Sequence, residues 1–250
     1  MHIRLINPNT TASMTEKIGA AGARVAAAGT RISATNPEAG PVSIESHFDE
    51  AISAVGVLEE IRRGDKEGVD AYVIACFGDP GLLAARELTA APVIGIAEAA
   101  FHLATLISTR FSVITTLGRT CIIAEHLVDR YGMTHVCRKV RGTDIPVLDL
   151  EETGSAALDT IVDECRRAVA EDRCGAIVLG CAGMADLVAE VQRTVGVPVI
   201  DGVAAAVVQV EALVRLGLGT SKHGDLAWPP AKPYTGYLAH MAPTGIGRAG

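Results

Sequence analysis

The chain repeats itself. AYVIACFGDPGLLAA (71–85) and AIVLGCAGMADLVAE (176–190) are two versions of one segment, 105 residues apart. They share Ala71/Ala176, Val73/Val178, Cys76/Cys181, Gly78/Gly183, Leu82/Leu187 and Ala84/Ala189. After a one-residue insertion, Pro92-Val93-Ile94 matches Pro198-Val199-Ile200. LIN (5–7) and VIT (113–115) also correspond, each placing a polar residue where a strand would end. A period this long exceeds a solenoid unit. It calls for two similar lobes, and 250 residues are enough for two. Similar lobes that face each other enclose a cleft along a pseudo-two-fold axis.

Short β-rich runs alternate with longer Ala-rich stretches. Strands are expected at Ile3–Ile6, Ala71–Ala75, Val93–Ile96, Phe111–Thr115, Ala176–Leu179 and Val197–Ile200. Their continuous apolar character suits parallel strands covered on both faces. Helix-like segments lie between them at Ser13–Ala27, His47–Arg63, Leu82–Leu88, Ala97–Ser108, Thr120–Tyr131, Ala156–Glu171, Ala185–Val195 and Val203–Leu216. The fold class is therefore α/β, with two similar parallel-sheet lobes related by pseudo-two-fold symmetry and the active site in the cleft between them. Residues 1–109 with 198–219 are expected to form the first lobe, the last strand and helix packing across the joint. Residues 110–197 form the second lobe, and 220–250 a proline-rich, irregular C-terminal extension. The extension ends in Gly245-Ile246-Gly247-Arg248-Ala249-Gly250, a literal GxGxxG with no helix after it, so it carries no dinucleotide reading.

Composition narrows the partners. Lys and Arg number 22 against 29 Asp and Glu, a formal charge of −7, which disfavours nucleic acid and anionic membrane surfaces. The longest apolar uncharged run, 174–185, is too short for a transmembrane span. MHIRLINPNT lacks the basic-then-apolar pattern of a secretion signal, so a cytoplasmic location is expected. The six cysteines, at 76, 121, 137, 165, 174 and 181, include no CxxC pair, and the seven histidines show no HxxxH or HxH. No metal site and no cofactor are expected.

Cys76 and Cys181 carry the chemistry. Each ends an apolar strand and is followed two residues later by glycine, Gly78 or Gly183. In open α/β sheets ligands bind beyond the carboxyl ends of the strands. A tight turn there brings backbone N–H groups and a helix N-terminus to the sulfur, which would lower the thiol pKa. Two thiols of matched environment on opposite sides of a flat substrate suit inversion of a carbon stereocentre. One thiolate removes a proton from one face, and the opposite thiol delivers one to the other face. The competing reading is that both are small buried core residues, which duplication would preserve twice.

Further wall residues are read from the strand ends. Asn7 and the second-lobe pair Thr115 and Thr116 could hydrogen-bond a substrate, although Asn7 also suits a turn. Phe77, Gly78, Gly183 and Met184 would supply backbone amides and walls. Ser43 and Ile44 in GPVSIES (40–46) would form a rim, or an ordinary loop. Asp79 is placed to cap a helix starting at Pro80.

INPNT (6–10), IACFGDPGL (74–82), GIAEAA (95–100), VLGCAGM (178–184), PVIDGV (198–203) and GLGTSKHGDL (217–226) resemble the hydantoin/allantoin racemases of the aspartate/glutamate racemase superfamily. The resemblance runs from about residue 2 to residue 226. It implies cofactor-independent, two-cysteine racemisation falling on Cys76 and Cys181. The implied substrate is a small molecule, a 5-substituted hydantoin inverted at C5, allantoin being one such ring. It also implies a cytoplasmic homo-oligomer. The stretch 76–100 is similar to the allantoin-acting branch, while Ala182 stands where some relatives carry glycine. The alternatives are an amino-acid racemase, a carbanion-type decarboxylase or isomerase on the same fold, and a non-catalytic two-lobe binding protein. A one-cysteine decarboxylase would have no use for the second thiol.

Overall fold

The computed structural model describes residues 1–151 and 155–245. The last five residues of the expected extension, and with them all but the first residue of the GxGxxG match, lie outside the described residues.

Each half builds one four-stranded parallel sheet. In the first, β1 (His2–Ile6), β2 (Arg31–Thr35), β3 (Ala71–Ile74) and β4 (Val93–Gly95) run in the order β2-β1-β3-β4. In the second, β5 (Phe111–Thr115), β6 (Cys137–Gly142), β7 (Ala176–Leu179) and β8 (Val199–Asp201) repeat that order as β6-β5-β7-β8. The connections are helical: α1 (Ala12–Val25), α2 (His47–Glu67), α3 (Leu82–Leu88), α4 (Ile96–Ile107), α5 (Cys121–Arg130), α6 (Ser155–Arg167), α7 (Val188–Val195) and α8 (Gly202–Arg215). Among the described residues no helix is long and apolar enough to cross a membrane.

The strands are apolar throughout because both faces are covered, and their residues sort by alternation. In the first sheet Ile3, Leu5 and Val73 face a core shared by the two halves. Ile6, Tyr72 and Ile74 face a separate cluster with Val57 and Ile61 of α2. In the second sheet Phe111, Val113 and Val178 join the shared core, whereas Ile114, Ile177 and Leu179 pack outward with Ile161.

The shared core is made by exchange of helices. α4 leaves the first sheet and packs on α8 and against β7, whereas α8 leaves the second sheet and packs on α4, α1 and β3. Phe101 of α4, fully buried, is stacked on Phe111 of β5 at 5.4 Å between ring centroids. The segment 198–219 therefore divides at its strand. β8 hydrogen-bonds to β7, Ile177 opposite Val199, and stays in the second sheet; only α8 crosses to the first half. The strand is held where its backbone groups find a ladder, and the apolar helix where its small residues fit the other sheet.

Residues 220–245 carry only short turns and lie against α2 and α3. Arg62 of α2 donates to the carbonyls of His240, Met241 and Ala242 at 2.9, 2.8 and 3.2 Å. Lys222 donates to the Arg86 carbonyl and sits 4.4 Å over the Trp228 ring.

Candidate active site

The carboxyl ends of the central strands of both sheets open on one cleft of about 550 Å³, counted out to the solvent at its mouth. This is the point in each sheet where strand order reverses, the usual place for a ligand in such folds. The first half contributes Asn7 after β1 and Ala75, Cys76, Phe77 and Gly78 after β3. The second half contributes Thr115 and Thr116 at the end of β5 and Gly180, Cys181 and Ala182 after β7. The two repeated cysteines thus line a single cavity, and both are partly exposed to it.

The Cys76 turn is tightly built. Ala75 N–H donates to the Ile6 carbonyl at 2.8 Å, which carries the chain past the end of β3. Asp79 N–H donates to the Cys76 carbonyl at 3.0 Å and closes the turn. The Gly78 N–H bonds the Cys76 sulfur and favours its thiolate. This contact does not decide the balance. Burial pushes the Cys76 thiol well above its ordinary range, and the charges of Glu50, Cys181 and Asp79 add to the rise. The expected lowering does not occur: α3 begins only at Leu82, so its N-terminus does not follow the sulfur directly, and the acidic Glu50 in the first turn of α2 opposes thiolate formation.

Phe77 packs edge-on against Phe101 of α4 at 5.5 Å and so anchors this turn to the joint. On the other side, the turn Ala182–Met184 follows Cys181, with Met184 N–H on the Cys181 carbonyl at 3.1 Å. Phe77 N–H and Ala182 N–H, each directly after a cysteine, donate to no backbone carbonyl among the described residues.

Asn7 lines the cleft with its amide donors already engaged. It donates to Asn9 Oδ1 at 2.8 Å, Thr15 Oγ1 at 3.0 Å and the Thr11 carbonyl at 3.3 Å. Thr115 donates to the Gly180 carbonyl at 3.0 Å and couples the ends of β5 and β7. The Thr116 hydroxyl has no hydrogen-bond partner among the described residues and is the polar group of this pair open to a ligand. Ile44 is in the wall, beside Val147 of the other half, and Val147 N–H donates to Glu45 Oε1 at 2.8 Å across the mouth.

Three of the expected wall residues stand outside it. Ser43 sits one residue short of the rim, on a segment that Thr11 ties down through the Val42 carbonyl at 2.7 Å. Gly183 backs onto Leu150, where a Cβ would approach its Cδ1 to 3.2 Å. Met184 is fully buried in the outer cluster of the second sheet with Leu179, because the turn has already curled away from the cleft.

Other wall residues carry no local signal in the sequence: Asn9, Met14, Thr120, Ile123 and, above all, Glu50. Glu50 comes from the first turn of α2 and lies against Gly78, where any Cβ would overlap its Oε1. Burial raises its pKa, while His47, at 3.4 Å from Oε2, Arg130 and His126 oppose the rise. His47 stacks on His126 of α5 with ring centroids 6.0 Å apart, so the two halves meet here too. An amphipathic pattern shows that this face of α2 is inward, but not that it reaches the Cys76 turn.

Asp79 does not cap α3. That helix takes Gly81 as its N-cap, without a side-chain bond. Asp79 is buried and bonds the first turn of α4 instead, Ala97 N–H at 3.1 Å and Glu98 N–H at 3.0 Å, and it accepts from Tyr131 Oη at 2.7 Å. Burial pushes its pKa up to about 7. Among the described residues no group of three or more His, Cys, Asp or Glu could hold a metal ion.

Comparison with known proteins agrees with this geometry. A protein of Rhizobium meliloti named hydantoin racemase is 54% identical over 95% of this chain and 98% of its own length. The structure titled allantoin racemase from Klebsiella pneumoniae is 58% identical, with a TM-score of 0.95 over 97% of this chain and 99% of that one. An allantoin racemase from Pseudomonas fluorescens is 40% identical, with a TM-score of 0.91 over 94% and 100%. Residues 3–210 match the Asp/Glu/Hydantoin racemase family, and the chain belongs to that family.

Proposed function

We propose that this protein is a cofactor-independent racemase that inverts C5 of 5-substituted hydantoins, allantoin among them, by proton transfer between Cys76 and Cys181. The observation that carries the reading is the convergence of the two repeated cysteines, one from each half, on one cleft. One thiolate takes the C5 proton, and the electron pair of that C–H bond passes into the ring carbonyl as an enolate. The opposite thiol then delivers its proton to the other face of the carbon, so thiol and thiolate have exchanged places after one turnover. The Phe77 and Ala182 N–H groups are the donors for the enolate oxygen, and the Thr116 hydroxyl is the acceptor for a ring N–H. The hydantoin and allantoin racemases among the relatives support the substrate class.

Polarimetry tests the reading. Optically pure D- and L-allantoin, and benzyl- or isopropyl-hydantoin, should lose rotation when the purified protein is added. Cys76→Ser and Cys181→Ser should each lower racemisation by about 1,000-fold or more while leaving the fold intact. In D2O each variant should retain C5 hydrogen exchange with one enantiomer only. Full turnover in both directions by either variant would sink the two-thiol assignment.

The same reading takes the protein as a cytoplasmic homo-oligomer. Its support is that none of the six cysteines is in a disulfide and that Phe48 and Ile52 of α2 and Leu106 and Ile107 of α4 are exposed. Light scattering above the 25.9 kDa of one chain, and fractionation of cells, test these two points.

A further inference from the structure

The two halves end in strand–helix units of the same construction, with one exchange. Gly95 lies opposite Ile74 in the first sheet, and Asp201 lies opposite Leu179 in the second. Both are N-caps, of α4 and α8, and both are extended, with φ, ψ of −87°, 148° and −88°, 128°. Asp201 supplies its own carboxylate to α8: Oδ1 accepts from Val203 N–H at 3.0 Å and Oδ2 from Ala204 N–H at 2.9 Å. These are the second and third residues of the helix. In α4 the cap is a glycine, and the second and third amides are met by Asp79, Oδ1 on Ala97 and Oδ2 on Glu98. A Cβ on Gly95 would overlap the Asp79 carboxylate. The volume that one half fills with the cap's own side chain is filled in the other by a side chain from the Cys76 turn.

The substitution has a consequence for the sulfur. Asp79 closes the Cys76 turn through its own N–H, and its carboxylate fixes that turn to α4 and, through Tyr131 Oη, to the end of α5. Its backbone is left-handed, at φ 45°, a conformation uncommon outside glycine that aspartate adopts more readily than methionine and that the tie helps to hold. The corresponding position after Cys181 is Met184, whose side chain has no such reach.

We propose that Asp79 is a positioning residue for racemisation: by capping α4 from the Cys76 turn it holds the Cys76 thiol in register with the substrate, a carboxylate tie of a kind that Met184 does not supply at the matching position of the Cys181 turn. The inference rests on the reading of Cys76 as a proton-transfer group. The test separates capping from positioning. Asp79→Met places the other half's residue in the turn and leaves α4 uncapped. Asp79→Met combined with Gly95→Asp gives α4 a cap of the α8 kind but leaves the turn untied. The single variant should lose melting temperature and show kcat lowered by roughly 10- to 100-fold. The double variant should recover most of the melting temperature without recovering kcat, and KM should change little in either. Recovery of kcat together with stability would show that Asp79 is only a cap, and a single variant with unchanged kcat would equally overturn the proposal. Alkylation by iodoacetamide, followed peptide by peptide, provides a readout that needs no substrate. In the folded double variant the Cys76 rate should change by about tenfold relative to Cys181. An unchanged ratio would overturn the proposal. A wild-type protein that racemises no hydantoin, with an altered labelling ratio in the double variant, would overturn the proposed substrate and leave the positioning intact. Asp79→Asn, which keeps one acceptor for α4, serves if the double variant does not fold, with the same labelling change expected to a smaller extent.

Discussion

In the proposed reaction Cys76 takes a proton from carbon in surroundings that resist its own ionisation. Burial is the largest influence, and negative charge at Glu50, Cys181 and Asp79 pushes the same way. Two thiols on one small cleft do not ionise together, because each charge raises the cost of the other. The resting pair is then one with few thiolates, and the working form has one thiolate facing one thiol, as two-base racemisation requires. A thiol raised in this way is also the stronger base once ionised, which suits a carbon acid. The expected result is a kcat/KM that climbs with pH from about 6 to beyond 9 without levelling, because the first thiolate forms above the ordinary thiol range. Glu50→Gln removes a charge that faces Cys76, so the climb should move to lower pH. A profile that falls over this range, or one that moves to higher pH in Glu50→Gln, contradicts the assignment.

At the scale of the element, α4 is where local chemistry and long-range structure meet. Its cap carboxylate is buried against Tyr131 and near Glu98, which is itself paired with Arg86 at 2.5 Å. An aspartate held at a pKa of about 7 binds its proton more tightly in the folded than in the unfolded chain. Its contribution to stability is therefore full below about pH 4 and is lost as pH rises through about 7. Chemical denaturation at pH 5 and pH 8 should show wild type losing stability relative to Asp79→Asn by on the order of 2–3 kcal/mol. Equal stability differences at the two pH values would mean that Asp79 is ionised throughout. This cap was not readable from the chain, because the amides it meets are 18 and 19 residues away, whereas helix-capping rules look three residues ahead. The inner strands were readable, since burial on both faces leaves unbroken runs such as AYVI and AIVL. The edge strands β4 and β8 are buried and also legible as apolar runs, whereas the edge strands β2, RISAT, and β6, CRKVRG, are not, for they are partly exposed and carry charge. β6 is instead held by Arg141, buried and bonded to Glu164, Glu171 and Asp172 at 3.0, 2.7 and 2.6 Å, a network with no sequence pattern. The cysteines were legible as a pair because the repeat set them in register, while Glu50 reached the cleft only through tertiary packing.

The whole molecule is a symmetric frame with an asymmetric strap. Helix exchange packs the two sheets around one shared core, and the cleft lies where the strand ends of both meet. Residues 220–245 add a feature that only one half has. They run over α2 and α3, on the flank away from the cleft, and none of them lines it. α2 brings Glu50 to the site and α3 follows the Cys76 turn, so the strap braces the two elements behind one of the two sulfurs. Arg62 is the principal tie, with three backbone carbonyls on one guanidinium, and Met241 beside it is buried. Arg62→Ala removes bonds that water can partly replace, at a cost of about 1–3 kcal/mol borne by the strap rather than by the sheets. Limited chymotrypsin digestion should then cut within 220–245 several times faster than in wild type, while kcat for racemisation stays close to the wild-type value. If kcat falls together with the loss of the strap, the brace on α2 and α3 is part of what holds Cys76 in place, and the cleft does not owe its geometry to the strand ends alone.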